Sequence, residues 1–310
     1  MEYKTLEQDG ATLDVLEDFD GGARIAVNRL GAELTSLARR DCSGTWQGFL
    51  IRDGETSKPA SGWANHATVM GYFLHRLWQE RSSYRGMEIR GGNHGFLRHF
   101  VFDAPEVGSD SLTYTVPTER VPREAYPLKV SLKLTYRLGQ DGLRVIFEFH
   151  NEEDVDAHVS FGLHPGFAIS SLSTTRVLFP AGTYERHWAP GNFLDGRVDM
   201  IPFSGGEMPF SKEKLPDSYL LGLDQVPDRS FTVDDPVSGH RVKFDFSEVP
   251  YLTLWSDADQ FVCLEPCWGL PDSNPPVPFE KKIGIQIIPP KGLLKRSFGI
   301  QPEITSSTSI

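Results

Sequence analysis

Along most of this chain the hydrophobic residues fall on every second position, the spacing of a strand with one buried face, rather than on every third or fourth. The clearest run places Leu128, Val130, Leu132, Leu134, Tyr136 and Leu138 on one face and Lys129, Ser131, Lys133, Thr135 and Arg137 on the other. Gly139-Gln140-Asp141-Gly142 follows as a turn, and Leu143, Val145, Phe147 and Phe149 resume the alternation, which predicts an antiparallel hairpin. A second hairpin is predicted from Phe231–Val233 and from Val242, Phe244 and Phe246, around Asp234-Asp235-Pro236 and Ser238-Gly239. Tyr251–Trp255, Phe261–Leu264 and Gly284–Ile288 read as shorter strands. Many short strands punctuated by Gly and Pro predict an all-β sandwich or barrel, with helix below about 15% of residues against the usual third. Segments 52–66, 180–217 and 269–282 read as loops, which in a compact β fold often carry binding groups. No repeat or linker divides the chain, so 1–310 is expected to be a single domain with a frayed tail over 304–310.

Composition adds exclusions. The 310 residues include 20 Phe, 9 Tyr and 6 Trp, enough for a sizeable core and against disorder. A formal net charge of −11 disfavours a nucleic-acid or anionic-membrane partner, since both select a surplus of Lys and Arg. Cys42, Cys263 and Cys267 contain no C-x-x-C pair, which argues against a disulfide framework and fits a reducing cytoplasm. The N-terminus has no basic and apolar signal pattern, and no window reaches the ~18 apolar residues of a membrane helix.

Four constellations carry candidate chemistry. In Asn93-His94-Gly95-Phe96-Leu97-Arg98, a Gly beside the His leaves room for close ligand approach; a turn His satisfied by backbone is the alternative. In Leu163-His164-Pro165-Gly166-Phe167, a strand is expected to end at a His that the following Pro holds extended, as a positioned acid or base requires; a structural His at a β-turn is the alternative. Leu264-Glu265-Pro266 puts a carboxylate at the expected end of an apolar strand, where it needs either a task or a buried Arg partner. Arg76, Arg81, Arg85, Arg90 and Arg98 suit vicinal oxygens, carboxylate or phosphate, though several must face solvent in any strand pair. His94 with His99, and Cys263 with Cys267, lack the second ligand pair of a structural zinc site, so no metal is expected. Dinucleotide, phosphate-loop and nucleophile-elbow patterns are absent.

In order and spacing, these motifs resemble the aldose 1-epimerase (mutarotase) family, bacterial branch, from about Ile25 to Ile300. The resembling landmarks are Gly31-Ala32-Glu33-Leu34, Gly71 to Arg76, His94-Gly95-Phe96-Leu97-Arg98, His164-Pro165-Gly166-Phe167 and Glu265-Pro266. His75-Arg76 replaces the family's usual Gly-Arg, and Cys267-Trp268 interrupts its Glu-Pro-Trp. The resemblance implies a large twisted antiparallel β-sandwich of galactose mutarotase type, with a sugar or sugar phosphate as small-molecule partner and no cofactor. It implies that Glu265 is the general base and His164 the general acid, that His94 and Arg76 bind sugar oxygens, and that Asp217 is the candidate for a further sugar contact. The oligomeric state stays open. A non-catalytic carbohydrate-binding protein on the same fold is the alternative; glycoside cleavage is less favoured, because it needs two carboxylates across one bond.

Overall fold

A computed structural model describes residues 1–208, 215 and 218–305. The protein is all-β. Every described strand pair is antiparallel, and helical structure among the described residues is confined to short 3-10 turns. No described helix is long and apolar enough to cross a membrane.

Two large sheets form the sandwich. The nine-stranded sheet runs, in spatial order, Gly206–Glu207, Arg176–Phe179, Ser230–Asp235, His240–Asp245, Leu293–Ile304, Gly142–Asn151, Val130–Gly139, Ser111–Val116 and Glu106–Val107. The hairpin predicted around Gly139 and Gly142 sits at its centre, with those two glycines facing each other across the turn. The seven-stranded sheet runs Val198–Phe203, Gly182–His187, Tyr219–Gln225, Tyr251–Trp255, Phe261–Trp268, Phe161–Ala168 and Ala67–Met70. A five-stranded N-terminal sheet spans Glu2 to Gly48.

The alternating residues of the two large sheets meet in one hydrophobic core. Phe161 packs against Phe147 and Phe149 at ring-centroid distances of 5.0 and 4.7 Å, Phe167 against Phe244 at 5.0 Å, and Trp268 against Phe298 at 6.2 Å. Such aromatic pairs each bury a large apolar area in offset or edge-on geometry. The opposite face of the central strands is then left for other groups, and the site lies there.

Three expectations need correction. Segment 180–217 is not one loop: it contributes Gly182–His187 and Val198–Phe203. The second of these is mostly exposed at the sheet edge, so it carries no alternation to read. The strands holding His164 and Glu265 do not end there but run on to Ala168 and Trp268. Pro165 and Pro266 are tolerated because the two strands pair at Gly162–Cys267 and Gly166–Cys263 and open between, where a residue without an N–H leaves no bond unmade. The strand expected over Gly284–Ile288 begins only at Gln286.

Candidate active site

Because strand side chains alternate, His164 shares its face with Gly162 and Gly166, and Glu265 shares its own with Cys263 and Cys267, while Leu163, Val262 and Leu264 point into the core. The Gly162–Cys267 and Gly166–Cys263 pairs place His164 opposite Glu265. His164 in turn faces Thr68, Glu265 faces Thr253, and Thr253 faces Leu220. Thr68, His164, Glu265, Thr253 and Leu220 thus form one row across the sheet. All five line a cavity of roughly 330 Å³, within the usual size of small-molecule sites.

His164 Nε2 lies 3.4 Å from Glu265 Oε1. Glu265 is 1% exposed, its Oε2 has no hydrogen-bond partner among the described residues, and no arginine pairs with it. The reading of Glu265 as half of a buried Arg pair therefore has no support. Burial pushes its carboxyl well above the ordinary range. Burial, with the charges of His75 and Arg98, pulls His164 down to about 3. Both effects favour the uncharged forms, a protonated carboxyl beside a neutral imidazole.

His94 enters the cavity from the other wall, 5.4 Å from His164 between ring centroids. Its backbone is left-handed, with φ at 62°, and its N–H donates to the His75 carbonyl at 2.7 Å. The His75 N–H donates back to His94 Nδ1 at 3.2 Å. Burial first, then the charges of His164, His75, Arg98 and Arg76, keep His94 neutral. With Nδ1 accepting, the proton of a neutral ring sits on Nε2, which makes His94 a fixed donor. Gly95 serves a different purpose from the one expected: a Cβ there would strike the Gly71 carbonyl, so its absence lets two backbone segments meet rather than admitting a ligand.

Arg76 and Arg98 both line the cavity, and neither has an ion-pair partner among the described residues. The other three arginines of that run sit on the Arg81–Tyr84 and Met87–Arg90 hairpin outside it, with Arg90 paired to Glu88 at 2.6 Å. Asp217 lies outside the described residues.

Several lining residues escaped the sequence reading. Trp63 is one of them and stacks on His164 at 4.8 Å; Trp255, legible in the sequence at the end of the Tyr251–Trp255 strand, meets the same ring edge-on at 5.4 Å. Trp63 reaches this position because Arg52 donates to the Trp63 and Asn65 carbonyls at 3.3 and 3.0 Å, and because Gly166 carries no Cβ to collide with the indole. Asn65, Asn192, Ser218 and Asp257 add to the polar lining, next to Asn93 of the His94 motif. A tryptophan inside a loop dense in Gly, Ser and Pro was the one available signal.

His164, Glu265 and Cys263 each place a potential metal-ligating atom within 4.8 Å of the others.

An aldose 1-epimerase family profile matches residues 15–187, more than half of the chain. His94 and His164 fall inside that stretch and Glu265 beyond it. The chain is 27% identical to protein LacX of Lactococcus lactis over 206 residues, covering 63% of this chain and 68% of that one. Its fold is similar to that of a galactose mutarotase related enzyme from Lactobacillus acidophilus, with a TM-score of 0.82, 21% identity and full coverage of both chains. It is also similar to a galactose 1-epimerase from Lactobacillus acidophilus, with a TM-score of 0.70, 14% identity and coverage of 98% and 99%.

Proposed function

This chain belongs to the aldose 1-epimerase family, and from that premise we propose that it interconverts the α and β anomers of an aldose or aldose phosphate without a cofactor. The observation that carries the proposal is the His164–Glu265 pair, 3.4 Å apart, with a free carboxylate oxygen in a sugar-sized cavity. Mutarotation needs one group to take the C1 hydroxyl proton and another to protonate the ring oxygen. These two oxygens hang from the same carbon, so acid and base must lie within one pyranose of each other.

The resting proton on Glu265 shifts to His164 Nε2, giving carboxylate and imidazolium with no change in total charge. Glu265 then removes the C1 hydroxyl proton. The C1 carbonyl forms as the C1–ring-oxygen bond breaks, and His164 protonates the leaving ring oxygen. Rotation about C1–C2 turns the open-chain aldehyde over, and the same transfers run backwards to close the other anomer. The His94 Nε2–H, Arg76 and Arg98 hold sugar oxygens, and Trp63 and Trp255 cover an apolar C–H face of the ring.

Arg76 and Arg98, with no ion-pair partner among the described residues, favour an anionic sugar over a neutral one. Exchange NMR with free and phosphorylated aldoses tests both statements. Accelerated anomer exchange with at least one aldose is expected, with a KM for the phosphorylated sugar that rises with salt. Binding without acceleration would favour the non-catalytic carbohydrate-binding reading. Equal, salt-independent handling of free and phosphorylated sugars would remove the preference for an anion.

A further inference from the structure

Cys263 takes no part in the chemistry above, yet it is the third member of the most tightly grouped set of ligating side chains among the described residues. It sits two residues before Glu265 on the same strand and therefore on the same face. It is a free thiol, fully buried. Its Sγ, one carboxylate oxygen of Glu265 and a ring nitrogen of His164 lie within 4.8 Å of one another. Glu265 is nine-tenths buried and more, and its Oε2 has no partner.

We propose that His164, Cys263 and Glu265 form a three-ligand site for a thiophilic divalent cation such as Zn²⁺, and that the cation inhibits the enzyme by occupying its acid–base pair. One nitrogen, one sulfur and one oxygen suit zinc, whereas magnesium and calcium select oxygen alone. Tetrahedral zinc with bonds of about 2.0–2.3 Å spaces its ligands about 3.3–3.7 Å apart. His164 and Glu265 already stand at 3.4 Å. The widest separation, 4.8 Å, closes with a small side-chain rotation. The fourth position opens on the cavity that His164 and Glu265 line, so bound zinc and sugar compete for one space. Binding releases the Cys263 thiol proton and the Glu265 carboxyl proton to solvent and takes up the lone pair that His164 needs to carry its proton.

Zinc binding itself stands on the three side chains alone, and only the inhibition rests on the epimerase reading. The test uses the full chain with Cys42→Ser, which removes the exposed thiol, alongside the same chain carrying Cys263→Ser or Cys263→Ala. Titration with ZnCl₂ is expected to give one zinc per chain, and X-ray absorption a single Zn–S bond near 2.3 Å. Both Cys263 variants should lose affinity by at least the roughly 10–100-fold that removal of an outer-shell partner alone produces. Zinc should silence anomer exchange in the parent chain, EDTA should restore it, and the variants should keep exchanging at the same zinc concentration. Zinc bound through Cys263 in a chain that never accelerates exchange would keep the site and discard the epimerase reading. An active enzyme that binds no zinc, or whose Cys263 variants bind and are inhibited as tightly as the parent, would discard the site alone.

Discussion

Asp14 and Glu265 are both buried carboxylates, 0% and 1% exposed, and the fold treats them in opposite ways. Asp14 is saturated. Arg29 grips it with two hydrogen bonds of 2.9 and 2.8 Å, and the Tyr3, Thr5 and Tyr114 hydroxyls donate at 2.8, 3.1 and 3.1 Å. Burial alone would raise its pKa, but the Arg29 contact and the hydroxyls outweigh burial and hold it below the usual carboxylate range. Glu265 has one neutral histidine at 3.4 Å and an oxygen with nothing to bond. Leaving a buried acceptor unmade costs about 1–3 kcal/mol. The fold carries that penalty at the cavity, where in the proposed reaction a substrate hydroxyl relieves it, and avoids it where the carboxylate only joins strands.

The sharpest way to break this contrast is to remove each charge and read both rate and stability. Glu265→Gln keeps the shape and removes the base, so anomer exchange should fall ~10²–10⁴-fold while the melting temperature holds or rises. His164→Asn should lower the rate similarly, and the double variant should be little worse than either single one, because the two groups act as a unit. A Glu265→Gln enzyme that melts several degrees lower but keeps its rate would make Glu265 a second Asp14. Asp14→Ala is expected to do the reverse. It strands Arg29, whose side chain is 23% exposed, so the loss should sit near the low end of the usual range, about 3 kcal/mol. Denaturant unfolding measures it, and kcat per folded molecule should not move.

Trp63→Ala removes a stacking surface without touching either proton. Loss of a contact worth roughly 0.5–1.5 kcal/mol should raise KM about 2- to 10-fold and leave kcat nearly unchanged. A fall in kcat alone would mean that Trp63 orients His164 rather than the sugar.

The smallest effect has opposite signs at the two carboxylates. Folding lowers the Asp14 pKa below its ordinary 3.8, so its stabilising contribution is present above that pH and fades as pH drops through the folded value. Folding raises Glu265 well above 4.5, so its contribution is full below pH 4.5 and is lost as pH climbs through the raised value. Relative to the parent, Asp14→Asn should flatten the acid limb of a plot of stability against pH, and Glu265→Gln the limb that starts above pH 4.5 and ends at the raised value. Superimposable curves would show that the two groups do not differ in linkage.

The sequence disclosed the parts of this arrangement that depend on alternation. Leu128 to Phe149 reads as a hairpin because one face of each strand meets water. Val198–Phe203 does not, because an edge strand with little burial has no periodic pressure on its residues. His164 and Glu265 could be picked out as chemical groups, but the prolines after them suggested strand ends. Only the facing strand shows that the ladder is already open there. Trp63, Asn65 and Asp257 were unreadable for another reason. Their positions come from Arg52, from the vacancy at Gly166 and from the turn after Trp255, all contacts between residues far apart in sequence or settled by loop path.

The row from Thr68 to Leu220 has one more consequence. The proposed acid and base, His164 and Glu265, are held apart by the distance between two neighbouring strands, a span that backbone pairing fixes at about 4.8 Å. No loop sets that interval. Loops around the cavity are therefore free to lengthen, shorten or change composition, and with them, in the proposed reaction, the choice of sugar, while the gauge between the two side chains keeps its setting. What the gauge does not tolerate is a change of parity. One residue inserted between Phe161 and His164, or between Phe261 and Glu265, would turn a member of the pair to the other side of the sheet, into the aromatic packing around Phe147 and Phe298.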